Sequence, residues 1–119
     1  MSDTERHEGG CHCGKVRYAF TAKVDGAMAC NCSICRRTGT LLKFVPKESF
    51  ELLAGEGDIK DYQFGKHRIH HLFCTTCGIR SFARGTGPDG KEMVAINLRC
   101  VPDVDLATLK VQEFDGASM

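Results

Sequence analysis

Of the eight cysteines in this chain, three fall within six residues: Cys30-Asn31-Cys32-Ser33-Ile34-Cys35. Their sulfurs can converge without help from the rest of the chain. A second set of four is split between Cys11 and Cys13 near the start and Cys74 and Cys77 much later. Four thiolates saturate a tetrahedral zinc, whereas three leave a position open, and open positions are where zinc does chemistry. The pattern therefore predicts two zinc ions, one structural with four cysteine ligands and one with three ligands and a vacant position. Both split pairs end in Cys-Gly, at Gly14 and Gly78. In a metal knuckle the backbone curls to aim N–H groups at sulfur, and glycine accepts the φ this demands.

Other uses of cysteine fit less well. The first residues are polar and mixed in charge, with no apolar leader, so the cytoplasm is the expected compartment, where disulfides are rare. A thioredoxin-like reading of Cys74 and Cys77 needs a helix to follow, and Gly78 to Phe82 reads as strand. An iron–sulfur cluster is compatible with cysteines alone, although separated knuckles favour zinc.

For Cys30, Cys32 and Cys35 two readings stay open. The site is closed and structural if Cys100, His67, His70 or His71 supplies a fourth ligand, and catalytic if none does. Three thiolates leave a bound zinc with net charge −1, a poor Lewis acid for water but a good seat for the thiolate of a thiol substrate. Arg36 and Arg37 follow directly, suited to the carboxylates of a small acidic thiol or simply a solvated basic pair. Cys100 reads as a buried free thiol. His70 and His71 face opposite ways on a strand, and His12 projects away from the metal its neighbours share, towards the second. Tyr62 and Phe64 read as strand core.

These residues must be positioned by a chain of 119 residues, one domain by size. Residues 1–8 read as a polar tail and residues 9–119 as the domain. The formal net charge of +1 gives no basis for a nucleic-acid or membrane partner, and no segment is long enough to span a bilayer. Seven thiolates and two zinc ions would bring that charge to −2, still near neutral. Thirteen glycines separate short alternating segments, the mark of many strands. Strands are expected at Val16–Phe20, Leu41–Val45, Arg68–Phe73, Arg80–Arg84, Met93–Arg99 and Val111–Phe114. Phe50–Leu53 and Ile59–Phe64 read as a hairpin around Gly55–Asp58, and Pro88-Asp89-Gly90 as the turn of another. Ser33 is expected to cap a helical turn ended by Gly39, and Asp103 or Asp105 another before Leu109. The fold class is mainly β, with antiparallel sheets and one or two helical turns.

The run Gly10-Cys11-His12-Cys13-Gly14-Lys15-Val16-Arg17-Tyr18, then Cys30, Cys32, Cys35, Arg36 and Arg37, then Phe73-Cys74, Cys77 and Gly78 resembles the glutathione-dependent formaldehyde-activating enzyme family. The resemblance extends from about Gly9 to Phe114. It implies a zinc-pinned β-sandwich or β-tent related to methionine sulfoxide reductase B. By the same resemblance Cys11, Cys13, Cys74 and Cys77 hold the structural zinc, and Cys30, Cys32 and Cys35 the catalytic one. The implied activity is a carbon–sulfur lyase reaction that adds glutathione to formaldehyde or releases it, with Arg36 or Arg37 binding the thiol's carboxylates. The competing reading is a binding module in which both metals are structural and a sheet face engages a protein partner.

Overall fold

A computed structural model of the chain describes residues 5–64, 69–87 and 89–118. The strands run β1 (Glu5–Gly10), β2 (Arg17–Ala22), β3 (Gly26–Cys30), β4 (Leu42–Pro46) and β5 (Phe50–Ala54). After them come β6 (Ile59–Tyr62), β7 (Ile69–Cys74), β8 (Phe82–Thr86), β9 (Glu92–Asn97) and β10 (Lys110–Phe114). The one α-helical turn among the described residues, α1 (Cys35–Thr38), lies between β3 and β4. They form a three-stranded sheet, β1-β2-β5, and a seven-stranded sheet, β10-β3-β4-β9-β8-β7-β6. Every pairing is antiparallel except β10 with β3. The mainly β, mostly antiparallel class expected from the sequence is the class observed.

The core lies between the sheets. Tyr18 and Phe20 alternate on β2 and are both fully buried. The Tyr18 ring meets Phe50 of β5 at 5.4 Å between centroids and Phe82 of β8 at 5.5 Å, and Phe50 meets Phe82 at 4.9 Å. Val45, Val94, Ile96 and Leu98 pack into the same cluster. The Tyr18 hydroxyl donates to the Ser81 carbonyl at 2.9 Å, so its polar tip is satisfied where burial also holds the phenol well above its ordinary pKa.

Several expectations need correction. Residues 5–8 belong to β1 rather than to a tail. The strand pairs with β2 through its backbone and buries only His7, stacked on Phe20 at 5.4 Å; the His7 Nδ1 lies 3.1 Å from Asp103. Phe50–Leu53 and Ile59–Phe64 do not form a hairpin: β5 pairs with β2 in the small sheet and β6 with β7 in the large one. The chain crosses between sheets at Gly55, which has φ +93° and packs so tightly on the Lys15 carbonyl that a Cβ would collide with it. Ser33 does not cap α1; Ile34 holds that position without a side-chain bond, and Gly39 ends the turn with φ 69°. Asp105 caps the later turn through Ala107 N–H at 3.0 Å. The β8–β9 hairpin is formed; Pro88 in its turn lies outside the described residues, as do Arg68 and His67. Among the described residues no helix is long and apolar enough to cross a membrane.

Tyr18→Phe should cost about 1 kcal/mol, because the Ser81 carbonyl keeps a second donor in Asn97 N–H at 3.0 Å. Phe20→Ala should cost about 3–5 kcal/mol through the cavity it leaves. Denaturant unfolding at saturating metal checks both, and equal losses would contradict this account of the core.

Candidate metal centres and the chamber beside them

Cys11 and Cys13 sit in the loop from β1 to β2, Cys74 ends β7, and Cys77 lies in the turn after it. The four sulfurs all fall within 4.8 Å of one another. Cys11 and Cys13 are 3.5 Å apart and Cys13 and Cys74 3.6 Å apart. A disulfide needs about 2.05 Å, whereas metal–sulfur bonds of about 2.3 Å in a tetrahedron put sulfurs about 3.8 Å apart. The spacing is that of a thiolate shell. The knuckles take the expected form: Gly14 has φ 85° and Gly78 φ 76°, Val16 N–H donates to the Cys11 sulfur at 3.3 Å, and Thr76 N–H to that of Cys74 at 3.4 Å.

Electrostatics agree. Hydrogen bonds from the backbone of Cys13 and Ile79 draw the Cys77 thiol down to about 6, and those from Cys77 and Thr76 lower Cys74. Cys13 goes the other way, to about 11: the Lys15 N–H favours its thiolate, but burial and the neighbouring sulfurs outweigh it. Four thiolates at this spacing need a cation to coexist, so the residues fit a metal ion. Cys100 stands nearby, half-buried, its thiol pushed up to about 11 by burial and by Cys11 and Cys77. It takes a weak hydrogen bond from the Asn97 side-chain amide at 3.6 Å. His12 is exposed.

Cys30 ends β3, Cys32 lies in the loop, and Cys35 opens α1. Their sulfurs also converge within 4.8 Å, and no fourth His, Cys, Asp or Glu ligand joins them among the described residues. His70 is turned to the far face, its Nδ1 2.6 Å from Asp61. The Cys32 N–H donates to the Cys30 sulfur at 3.5 Å. Burial opposes ionisation of Cys32, but backbone N–H groups of Cys35 and Ile34 overcome it and lower the thiol. Cys35 is pushed up to about 12 by burial and then by the sulfurs of Cys32 and Cys30. One thiolate is favoured at the expense of its neighbour, again a set that a cation would complete.

Arg36 and Arg37 are exposed on α1. Arg37 donates to the Ser33 carbonyl at 2.7 Å and lines a shallow groove with Tyr62, Phe64 and Arg80. Neither arginine lines the cavity against which the three sulfurs lie; Arg80 does. The C-terminal segment, also missed in the sequence, clasps the loop. Asn31 donates to Asp115 at 3.0 Å and accepts from Ala117 N–H at 2.9 Å, while its own N–H donates to the Phe114 carbonyl at 3.1 Å. Gly116 passes so close that a Cβ there would stand 2.5 Å from the Cys30 sulfur. The only sequence signal for this clasp was an amide between two ligands.

The cavity measures about 330 Å³ and covers the face of the large sheet turned away from the core. Ala95 and Ala83 form its floor, flanked by Phe44 and His71 in one cross-strand row over β4, β9, β8 and β7, which Tyr62 of β6 continues beyond the cavity. The two alanines make the floor deep. Met28 and Phe114 wall one side, and Phe64 and Ile69 the other. Tyr62 and Phe64 are thus not core but an exposed stack, 5.8 Å apart, that continues onto His71 at 5.3 Å. Burial and then Arg80 lower the His71 pKa, which favours the neutral ring. The Arg80 guanidinium lies over Tyr62 at 5.7 Å and Phe73 at 5.2 Å, with no carboxylate partner among the described residues.

Native protein should carry two metal ions per chain by elemental analysis. Cys77→Ser should unfold or aggregate, since structural metal binding is folding free energy, whereas Cys32→Ser should lose one metal and stay folded. Asn31→Ala, which removes the clasp but no ligand, should weaken the second metal about tenfold in chelator competition and leave the first unchanged.

The profile of a family described as glutathione-dependent formaldehyde-activating enzyme matches residues 6–114. A crystal structure of a Rhodobacter sphaeroides protein is similar at a TM-score of 0.74 and 26% identity, over 88% of this chain and 99% of that one. The matched span takes in both cysteine clusters, the clasped loop, β1 from Arg6 and the whole of β2 to β10. This chain belongs to the glutathione-dependent formaldehyde-activating enzyme family.

Proposed function

We propose that this protein is a zinc-dependent carbon–sulfur lyase that joins a thiol, glutathione, to a small aldehyde such as formaldehyde and releases it in reverse. The observation that carries this reading is the three-sulfur cluster, which has no fourth ligand among the described residues and lies in the wall of a cavity. The four-cysteine set would hold the structural zinc, and Cys30, Cys32 and Cys35 the second. There bound zinc would lower the pKa of a thiol in its vacant position and keep the thiolate nucleophilic. With reduced cysteines in both roles, the cytoplasm is the compartment we assign.

The chain's own residues do the rest. Backbone N–H groups of Cys35 and Ile34 hold negative charge on Cys32, and the Thr40 hydroxyl supports the Cys35 sulfur. Arg37, with Arg36 beside it on the same turn, offers the carboxylates of glutathione a cation next to the cluster. The apolar chamber keeps water from competing at the vacant position. Addition is then a single exchange. The thiol releases its proton to solvent, its sulfur bonds to the carbonyl carbon, the C=O π pair moves to oxygen, and that oxygen takes a proton back from solvent water. A hemithioacetal results with no change of oxidation state.

NMR exchange spectroscopy on formaldehyde, glutathione and their adduct tests this. Exchange should accelerate with the zinc-loaded protein and not with Cys35→Ser; the same rate with and without protein would refute the activity. Arg37→Ala should raise the glutathione concentration needed for half the effect by roughly fivefold, the scale of an exposed ion pair.

A further inference from the structure

The chamber is much larger and more apolar than a one-carbon aldehyde can use. Its floor is the alanine pair Ala83 and Ala95, and four of the exposed large hydrophobics of the protein, Phe44, Phe64, Ile69 and Phe114, are its walls. Water against such walls forms few hydrogen bonds, and displacing it with apolar surface is favourable. Formaldehyde covers almost none of that surface. Glutathione cannot fill it either, because its amides, ammonium and carboxylates would lose their hydrogen bonds to water and find few partners. Its peptide belongs instead in the adjoining groove, where Arg37 and Arg80 stand. The groove and the chamber share Ile34, Thr38, Phe64 and Arg80 as walls, so one ligand can occupy both with its sulfur at the cluster.

We infer that, besides a one-carbon aldehyde, the site takes an apolar aldehyde, aromatic or of medium chain length, whose hydrocarbon body lies on the Ala83–Ala95 floor while its carbonyl carbon meets the thiolate at Cys30, Cys32 and Cys35. The inference rests on the thiol-binding reading above and names the second substrate of that site. The bond changes are those already given: sulfur–carbon forms, the carbonyl π bond opens, and oxygen gains a proton from water. The exposed apolar walls serve as a substrate pocket, which accounts for their concentration on one face of a small protein.

The test uses the two-zinc protein and the stable thioethers S-methyl-, S-butyl- and S-hexylglutathione, which carry an apolar group on the sulfur as the adduct does. Calorimetric affinity should rise about three- to fourfold per methylene while the chain lies on apolar wall, at least about thirtyfold from methyl to hexyl. Ala83→Leu, which fills the floor, should remove most of that gain. Ile69→Ser, at an exposed wall position where folding is not at stake, should reduce the gain severalfold. Cobalt in place of zinc gives a separate readout, since a new thiolate ligand changes its visible spectrum. If glutathione perturbs the cobalt spectrum but affinity is flat across the series, the apolar aldehyde is overturned and the thiol reading stands. If glutathione leaves the spectrum unchanged, both fall. A gain with chain length that survives Ala83→Leu and Ile69→Ser also overturns the assignment, because the alkyl group then binds elsewhere.

Discussion

The four-sulfur cluster is the constraint on which the rest depends. It joins the loop that opens the small sheet to the end of β7 in the large one, so a single point fixes how the two sheets lie. Cys13 and Cys74, 3.6 Å apart, are 61 residues apart in sequence. Closing so long a loop in the unfolded chain costs entropy that a metal bond can offset. A domain of this size buries roughly two-thirds of the surface its unfolded chain exposes, enough for one modest core, and here the aromatic core from Tyr18 to Phe82 serves only one face of the large sheet. Without the cross-link that core would have to fix the angle between sheets alone. The Lys15 ammonium, donating to the Thr76 hydroxyl at 3.2 Å, adds a direct tie between the two knuckles.

The two clusters differ in where they sit. The first lies at the junction of the sheets and is enclosed by turns that spend backbone N–H groups on sulfur. The second lies on a loop between β3 and β4, held from outside by the Asn31–Asp115 clasp, and faces a cavity. Ser118 donates to Asp115 at 2.7 Å and, with Asn31, keeps that carboxyl below its usual range. The clasp is therefore charged on one side and anchored twice. It holds the sulfurs together from behind while leaving the front of the cluster to the chamber, the arrangement a site with a vacant ligand position needs.

Cysteine spacing was legible because it is local. Two or three residues of separation decide which sulfurs converge, and the glycine after each knuckle is a backbone requirement written into the chain. Sheet membership is not local. Phe50–Leu53 and Ile59–Tyr62 both alternate as strands should, and nothing within them says that Gly55 carries the chain from one sheet to the other. Glu5 to Glu8 look like tail because β1 is held by backbone pairing, which leaves no trace in side-chain type. Tyr62 and Phe64 carry the same alternation that a core strand shows, since a chamber face and a core face are equally apolar. Arg36 and Arg37 are next to a ligand in sequence, yet the helical turn swings both outward, and the arginine on the chamber wall comes from the strand side, at position 80.

The chamber itself depends on a register that only the fold creates. Ala83 and Ala95 are ordinary strand residues until β8 and β9 pair them directly, with Phe44 and His71 on either side. Side chains at alternate positions point to opposite faces, so Phe82 and Ile96 fill the core while their neighbours Ala83 and Ala95 hollow the other face. Large residues on one side pack the domain, and small ones on the other leave room for a guest. The sheet can leave that second face unpacked because the first face already packs it, and a metal at the four sulfurs would hold it further in place. With three thiolates on a dication the cluster would carry net negative charge, and its apolar walls would then limit what can approach: a hydrated anion would lose water and gain repulsion. A thiol whose charge stays out near Arg37 and Arg80, and whose partner is hydrocarbon, meets neither penalty.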